Sequence, residues 1–255
     1  MAALTRTDRA DRPLVIAHRG HSHGAPEQTI AAFRAAVELG AEMIEADVRR
    51  TRDGRFVMCH DAAVDRTTNG TGFVSSLTFD ELRRLDAGSW FSSRYVGERI
   101  PSLDELYDLA TEAGIRLCLE VKGETPEERA SVAQAVANEM VQRGRLDDDV
   151  LASFDHAVLA ATARSVTGLE TAPDRLPERG PADARAVVEQ AASIGARIVQ
   201  HHHADLDVVT VKEAHTAGVE IWAWPPLTRD EIERVLAMNV DGVMGDDVSA
   251  IRAAV

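Results

Sequence analysis

Short apolar runs alternate with helix-length amphipathic segments along most of this sequence. Between the runs, apolar residues recur at helical spacing, as in Val132, Val136 and Met140. Such alternation is typical of a parallel sheet wrapped by helices, and eight strands favour a closed (β/α)8 barrel of the TIM type over an open sheet. The runs predicted to be strands span residues 14–17, 43–48, 56–59, 116–121, 150–153, 196–199, 219–224 and 242–244.

The 255-residue length is that of a typical single barrel, so we expect residues 1–255 to form one domain. Helix starts carry Ser/Thr-x-x-Glu capping boxes at Thr78, Ser102, Thr125 and Thr228. Residues 51–55 (TRDGR) predict a tight turn that makes one connection a β-hairpin. Residues 62–100 are rich in Gly, Ser and Thr and predict an insertion beside the active site. Residues 166–185 predict a long loop with at most one short strand.

The charge of the chain limits its partners. A net charge of −14 argues against nucleic acid, because phosphate backbones require clustered Lys and Arg. An anionic small substrate would need positive charge from a bound cation and a few well-placed basic residues. Apolar runs are too short for an integral membrane segment, and Cys59 and Cys118 lie in apolar runs typical of reduced core cysteines. We therefore expect a cytoplasmic protein, whose oligomeric state the sequence leaves open.

Two predicted strands carry pairs of charged residues with a spacing of two. Glu45 and Asp47 form one pair, and Glu120 and Lys122 form the other. Side chains two apart on a strand point to the same face, so each pair converges on one place. Buried acidic pairs require compensation, and a divalent cation with hard oxygen ligands, Mg²⁺ or Ca²⁺, is the simplest. Taken separately, solvent-facing charges at a strand end and a simple salt bridge are the alternatives.

Two further strand ends carry histidines. His18, Arg19 and Gly20 follow the first strand, and His60 and Asp61 follow the third. An arginine can donate two hydrogen bonds to phosphate oxygens, and a histidine can transfer protons near neutral pH. A single histidine at a strand end is usually structural. Four charged clusters at four strand ends, however, together indicate a catalytic site at the C-terminal face of the barrel.

These clusters resemble the motifs of the glycerophosphodiester phosphodiesterase family. The matching segments are HRG (18–20), APEQTIAAF (25–33), E-x-D-V (45–48), T-x-DG (51–54), HD (60–61), DRTTNGTG (65–72), LDAGSWF (85–91), IPSLDEL (100–106), LEVK (119–122), SFD (153–155) and DGV (241–243). The resemblance is dense up to SFD and thin beyond it. It implies a (β/α)8 barrel with a small insertion after the HD motif, where residues 62–100 lie.

The resemblance also implies an activity and a set of site residues. The implied reaction is hydrolysis of a small-molecule glycerophosphodiester to sn-glycerol 3-phosphate and an alcohol. The implied roles are one divalent metal held by Glu45, Asp47 and Glu120, an acid/base pair formed by His18 and His60, and phosphate contacts from Arg19 and Lys122.

The chain departs from the family pattern at several positions. Gln28 stands where the family usually has Asn, and residues 224–227 (WPPL) replace a Trp-Thr-Val-Asn pattern. Residues 245–248 (GDDV) replace a Thr-Asp-x-Pro pattern after the last strand. Trp224 is expected to be either a hydrophobic wall for the substrate or a core residue. The internal run 201–203 (HHH) is expected in a loop or at the surface, with a substrate-side role as the alternative.

Two other functions are compatible with these motifs. A lysophospholipase D, or another phospholipid-headgroup phosphodiesterase, would use the same residues on a different substrate, a possibility raised by the altered segment after Trp224. A non-catalytic barrel that binds phosphodiesters is the alternative from a different class. The intact histidine pair counts against it, because binding alone requires no acid/base residues.

Overall fold

The computed structural model describes residues 12–175 and 184–255, which contain nine β-strands and nine α-helices. The strands are β1 Leu14–His18, β2 Met43–Arg50, β3 Phe56–Met58, β4 Arg116–Val121, β5 Val150–Ser153, β6 Glu170–Arg175, β7 Ile198–His202, β8 Glu220–Trp224 and β9 Gly242–Gly245. The helices are α1 Ile30–Glu38, α2 Phe79–Leu82, α3 Leu103–Ala113, α4 Pro126–Gln142, α5 His156–Ser165, α6 Ala184–Ile194, α7 Val208–Thr216, α8 Arg229–Ala237 and α9 Val248–Ala254.

Eight of the strands close into a parallel barrel. The pairing runs in the order β1, β9, β8, β7, β6, β5, β4, β2, and β1 also pairs with β2, which closes the ring. Helices follow the barrel strands, so that each crossover returns to the same sheet in parallel orientation. The predicted (β/α)8 barrel is therefore confirmed.

The eight barrel strands are not the eight that the sequence predicts. β3 pairs antiparallel with β2 outside the ring, as the second strand of the predicted hairpin. Its place in the barrel is taken by β6, in the stretch predicted to be mainly loop. Pro173 and the charged residues around it obscure this strand in the sequence, although Thr171 and Ala172 are buried. Residues 176–183 of the predicted loop lie outside the described residues.

Alternate strand residues point into the barrel and fill its lower part with apolar side chains. The buried cluster comprises Leu14, Ile16, Met43, Cys118, Val150, Ala152, Ala172, Ile198, Trp222 and Met244. A larger apolar layer lies between the strands and the surrounding helices. Because the lower barrel is filled, the inward-facing polar residues two positions further along the strands form a separate layer at the C-terminal end.

Helix caps and the insertion fix the connections around the C-terminal end of the barrel. Thr78, Ser102 and Thr228 form reciprocal capping boxes at α2, α3 and α8, as predicted. Thr125 caps α4 by accepting a hydrogen bond from the Glu128 N–H, without the predicted reciprocal contact. The insertion, residues 62–100, has its own small core that includes Val64, Val74 and Leu82. The Tyr95 hydroxyl donates a hydrogen bond of 2.8 Å to the Gly24 carbonyl oxygen, which ties the insertion to the loop after β1. None of the described helices combines the length and the apolar character that a membrane-spanning helix requires.

Candidate active site

A cavity of about 300 Å³ lies at the C-terminal end of the barrel. It is lined by His18, Arg19, Glu45, His60, Glu120, Lys122, Phe154, Asp174, Gln200, Trp224 and Met244. Seven of the eight predicted site residues are in this lining. The eighth, Asp47, is fully buried on β2, where it pairs in register with Glu120 on β4. The structure therefore brings together residues that are spread over most of the sequence.

The three predicted metal ligands form one compact group. One oxygen from each of Glu45, Asp47 and Glu120 lies within 4.8 Å of the other two. Glu45 is 2% exposed and Asp47 is not exposed at all. Oε1 of Glu45 has no hydrogen-bond partner within residues 12–175 and 184–255. Buried, converging and incompletely satisfied carboxylate oxygens are the donors that a hard divalent cation prefers, so these residues fit such an ion.

Burial and mutual repulsion perturb these carboxylates. Burial raises the pKa of Glu45 well above its usual range, and the neighbouring charges of Asp47 and Glu120 raise it further. Burial also raises the pKa of Glu120 to about 7, against the opposing effect of Lys122. For Asp47 burial acts in the same direction, but Lys122 and Arg19 hold its pKa well below its usual range. Only part of the cluster is thus easily ionised without an added cation.

Two basic side chains contact the carboxylate cluster. Nζ of Lys122 lies 3.0 Å from Oδ1 of Asp47 and also forms an ion pair with Glu120. Nε of Arg19 lies 3.4 Å from Oδ2 of Asp47, and its Nη1 donates a 3.1 Å hydrogen bond to Glu27. Burial opposes the charged forms, but the carboxylates keep the pKa of both basic groups above its usual range. Both therefore carry a positive charge at neutral pH.

The loop after β1 has unusual backbone conformations, and residues of this loop donate hydrogen bonds to the buried carboxylates. At Gly20 φ is +84°, and a Cβ there would lie 2.7 Å from the carbonyl carbon of Ala32. Arg19 and Gln28 adopt φ values of 58° and 57°, a backbone region that residues other than glycine rarely occupy. The Arg19 N–H donates to Oε2 of Glu45 at 2.9 Å. Nε2 of Gln28 donates to Oδ2 of Asp47 at 2.7 Å, so the glutamine that replaces the usual Asn contacts the carboxylate cluster.

Each histidine of the cavity is paired with a carboxylate through Nδ1. His18 Nδ1 lies 2.6 Å from Oδ1 of Asp246, and His60 Nδ1 lies 2.7 Å from Oδ1 of Asp61. A carboxylate at Nδ1 fixes the ring orientation and favours the tautomer with a proton on that nitrogen. Nε2 is then the nitrogen that can exchange a proton with a substrate.

The electrostatics of the two pairs follow from their surroundings. Burial lowers the pKa of His60 below its usual value, although the charge of Asp47 opposes this. Burial alone would raise the pKa of Asp61, but hydrogen bonds from Arg66 and His60 lower it to about 2. Burial likewise opposes ionisation of Asp246, and the hydrogen bond with His18 lowers its pKa. Both partner carboxylates are therefore ionised at neutral pH.

The insertion supplies a residue that sequence reasoning missed. Arg66 donates to Oδ2 of Asp61 at 2.6 Å and to both carboxylate oxygens of Glu27 at 2.7 and 2.8 Å. Asp61 contacts His60, and Glu27 contacts Arg19. The Arg66 guanidinium therefore fixes the carboxylate partners of both residues. Arg66 lies in the DRTTNGTG segment, which gave a family match without a role. Asp246 was missed because its partner, His18, lies 228 positions away in the sequence.

Aromatic side chains form one side of the cavity, where Nζ of Lys122 lies 5.5 Å from the centroid of the Phe154 ring. The Trp224 ring centroid lies 5.7 Å from that of Phe154 and 5.2 Å from that of His202, each at a steep angle. Trp224 therefore lines the cavity, in agreement with its interpretation as a wall. The expected loop or surface position was wrong for His201 and His202, which lie in β7, and His201 is fully buried on the outer face of the barrel. His203 follows the strand but is only 8% exposed.

Comparison with known proteins identifies the family. Residues 18–250 match the model of the glycerophosphoryl diester phosphodiesterase family. A glycerophosphodiester phosphodiesterase from Caldanaerobacter subterraneus is 33% identical over 242 residues, which cover 92% of this chain and 95% of the relative. One from Bacillus altitudinis is 30% identical over 243 residues, covering 91% of this chain and 94% of the relative.

Solved structures agree with this match. An Oleispira antarctica phosphodiesterase in complex with the product sn-glycerol-3-phosphate has a TM-score of 0.86 and 28% identity, covering 95% of this chain and 96% of that one. A glycerophosphodiester phosphodiesterase from Agrobacterium tumefaciens has a TM-score of 0.81 and 26% identity, covering 94% of this chain and 99% of that one. The predicted resemblance and enzyme class are confirmed, and the chain belongs to the glycerophosphoryl diester phosphodiesterase family.

Proposed function

We propose that this chain hydrolyses small-molecule glycerophosphodiesters to sn-glycerol 3-phosphate and an alcohol, using one divalent cation and a pair of histidines. The observation that carries the proposal is the convergence of three carboxylates, two carboxylate-paired histidines and two basic side chains at one cavity. Family membership supports the reaction class. The product named for the Oleispira antarctica structure supports sn-glycerol 3-phosphate as one of the two products.

Glu45, Asp47 and Glu120 would hold the cation, which we propose to be Mg²⁺ or Ca²⁺ because carboxylate oxygens bind both. A bound cation supplies positive charge that neutralises phosphate oxygens in the ground state and in the transition state. Arg19 and Lys122 add fixed positive charge beside the same oxygens. Their contacts with the cluster keep both side chains directed at the place where the phosphate would lie.

His18 and His60 would transfer the protons. One takes a proton from the nucleophile, either water or a neighbouring substrate hydroxyl, and the other donates a proton to the departing alkoxide. If the hydroxyl attacks, the alcohol leaves behind a cyclic phosphodiester, and water then opens this ring in a second step to give sn-glycerol 3-phosphate. Each transfer typically contributes about 10²–10⁴-fold in rate. Asp246 and Asp61 would orient the two rings through Nδ1 and stabilise the imidazolium that forms on the base.

The test is hydrolysis of glycerophosphocholine with added Mg²⁺ or Ca²⁺, measured as choline and glycerol 3-phosphate released. We expect His18→Ala and His60→Ala each to lower kcat by at least about 10²-fold, with unchanged melting temperatures. Wild-type rates in either variant would contradict the histidine roles. Lysophosphatidylcholine, assayed in parallel, separates this function from a lysophospholipase D. Binding of glycerophosphodiesters without turnover under any metal would support a binding protein instead.

We further propose that residues 1–255 act as one catalytic domain in the cytoplasm. The insertion supports this, because it contributes Arg66 to the site. Cys59 and Cys118 are both free and buried, which agrees with a reducing compartment. A single unfolding transition in calorimetry is expected, and two separate transitions would contradict the single domain. Cell fractionation tests the location.

A further inference from the structure

Arg49 continues the row of charged side chains that begins with Glu45 and Asp47 on β2. The three residues are spaced two apart, so their side chains lie on the same face of the strand. Glu45 and Asp47 belong to the carboxylate cluster, whereas Arg49 lies outside the lining of the active-site cavity. Its side chain is nevertheless only 13% exposed, near the C-terminal end of β2. The proposed reaction does not use this residue.

The Arg49 guanidinium contacts the main chain of His60. Its Nε and Nη2 donate hydrogen bonds of 3.0 and 2.8 Å to the His60 carbonyl oxygen. One residue earlier, the Cys59 N–H donates a 3.0 Å hydrogen bond to the Asp47 carbonyl oxygen. β2 therefore fixes the backbone at one point before the His60 Cα and at a second point after it.

The carbonyl that Arg49 contacts belongs to the peptide group that joins His60 to Asp61. A peptide group is planar, so fixing its oxygen restrains the Cα atoms of both residues. The side chains that leave these two Cα atoms meet where His60 Nδ1 lies 2.7 Å from Oδ1 of Asp61. Arg49 thereby restrains the contact that orients the His60 ring and directs its Nε2.

Arg49 also contacts the loop that follows β4. Its Nη1 donates a 2.8 Å hydrogen bond to Oε1 of Glu124, two residues after Lys122. The Glu124 side chain is 52% exposed, and ion pairs at such exposure contribute little to stability. The two hydrogen bonds to the His60 carbonyl are therefore the contacts for which the position of Arg49 matters most.

We propose, on the basis of the proposed function, that Arg49 is a positioning residue that keeps His60 in the geometry required for proton transfer. It acts through the peptide group between His60 and Asp61 and does not contact the substrate. Displacement of a catalytic group by about 1 Å can lower a rate on the order of 10²-fold. A lysine keeps the charge but lacks the planar guanidinium that reaches His60 and Glu124 at once.

The test is a double-mutant cycle on the hydrolysis of glycerophosphocholine at saturating Mg²⁺ or Ca²⁺. In the wild-type background, we expect Arg49→Met to lower kcat about 10–100-fold with less than a threefold change in KM, and Arg49→Lys to recover only part of this loss. In the His60→Ala background, the same Arg49→Met substitution should change kcat less than about threefold, because the residue through which Arg49 acts has been removed. Arg50→Met, at the exposed next position of β2, is the control and should retain wild-type kcat.

A spectroscopic measurement tests the same inference without turnover. Proton–nitrogen correlation spectra of the histidine rings distinguish the two neutral tautomers, and His60→Ala identifies the His60 signals. In wild type we expect the His60 tautomer with its proton on Nδ1, facing Asp61. Arg49→Met should mix the two tautomers at His60 and leave the signals of His18 unchanged, since His18 is paired with Asp246.

The outcomes separate this inference from the proposed function. Coupling in the cycle together with mixed His60 tautomers supports it. Equal losses of kcat in the two backgrounds, a loss mainly in KM, wild-type kcat in Arg49→Met or unchanged His60 signals would each overturn it and leave the proposed function intact. If wild type releases no choline with either cation, the proposed function fails, and this inference fails with it. Melting temperatures confirm folding, and Arg49→Gln replaces Arg49→Met throughout if the latter is unfolded.

Discussion

Nδ1 of His18 lies 2.6 Å from Oδ1 of Asp246, although 228 positions separate the two residues in the sequence. The other histidine of the cavity, His60, has its carboxylate partner in the next residue, Asp61. The two histidines are therefore held in the same way by one distant and one local partner. In the proposed mechanism, proton transfer by either ring would depend on these contacts, because each carboxylate favours one tautomer and fixes the direction of Nε2.

We predict that Asp246→Asn lowers kcat on glycerophosphocholine by about 10–100-fold while KM changes less than threefold. An amide in place of the carboxylate no longer fixes the His18 tautomer and does not stabilise an imidazolium. The measurement is steady-state kinetics beside Asp147→Asn, the same substitution at an exposed position. Equal kcat values in the two variants would remove Asp246 from the set of positioning residues.

Arg66 provides a second test of positioning from outside the cavity. Its guanidinium bridges Asp61 and Glu27, so Arg66→Met releases both the carboxylate of His60 and the acidic partner of Arg19. We expect kcat/KM to fall by about tenfold or more, as is usual for residues that orient catalytic groups. Arg66→Lys recovers little, because an ammonium cannot form the bidentate contact with Glu27. Arg84→Met, at an exposed position of the same insertion, is the control and should retain wild-type kinetics.

Removal of the metal should inactivate the enzyme and lower its melting temperature. We expect EDTA to abolish turnover, and Mg²⁺ or Ca²⁺ to restore both activity and stability by binding the folded state. Glu45→Gln should weaken metal binding in calorimetric titrations by about 10²-fold or more. The metal-free Glu45→Gln protein should melt above metal-free wild type, since it lacks one buried and mutually repelled carboxylate. Full activity in EDTA, or metal affinity unchanged by Glu45→Gln, would refute the proposed ligand set.

The pKa of about 7 at Glu120 predicts how the stability of the metal-free protein varies with pH. The folded protein retains this proton between pH 4.5 and 7, where the unfolded chain has released it. The stabilisation is thus fully present below about pH 4.5 and is lost as pH rises through 7. By urea unfolding, we expect wild type to lose about 2–3 kcal/mol more than Glu120→Gln between pH 5 and pH 8.

Two comparisons test the origin of that pH dependence. Glu38→Gln, at an exposed position at the end of α1, should retain the wild-type slope. Saturating Mg²⁺ or Ca²⁺ should remove the difference, because the bound cation keeps the Glu120 carboxylate ionised. If the free energy of unfolding varied with pH identically in metal-free wild type and Glu120→Gln, the titrating group would be one other than Glu120.

The sequence predicts the barrel because short local patterns mark most strands and some helix starts, and these patterns recur along the chain. Apolar runs mark seven of the eight barrel strands, and capping boxes mark the starts of three of the nine described helices. β6 was predicted only as a possible short strand within a long loop, because its sequence, ETAPDR, has neither a continuous apolar run nor clear alternation. Neighbouring strands on both sides, which no local pattern reveals, are what bury it.

Some residues of the candidate site could be predicted from local sequence patterns, and others could not. Glu45, Asp47 and Glu120 were predictable, since a spacing of two within an apolar strand places charged side chains on one face and four such charged clusters follow strand ends. Asp246 and Asp174 acquire their surroundings only through the closure of the ring, so no short-range pattern marks them. Arg66 was equally hidden, because its partners are fixed by the path of the insertion over the barrel mouth.

The double pairing of β1, with β2 on one side and β9 on the other, has a consequence for how the chain folds. Until β9 arrives, β1 presents an apolar edge with unpaired backbone groups, which is the kind of surface that recruits other chains. The last strand also brings Asp246 to His18, so the step that pairs this edge also forms the contact that we propose orients His18. Enzymatic turnover during refolding would then report the disappearance of the species most prone to aggregate.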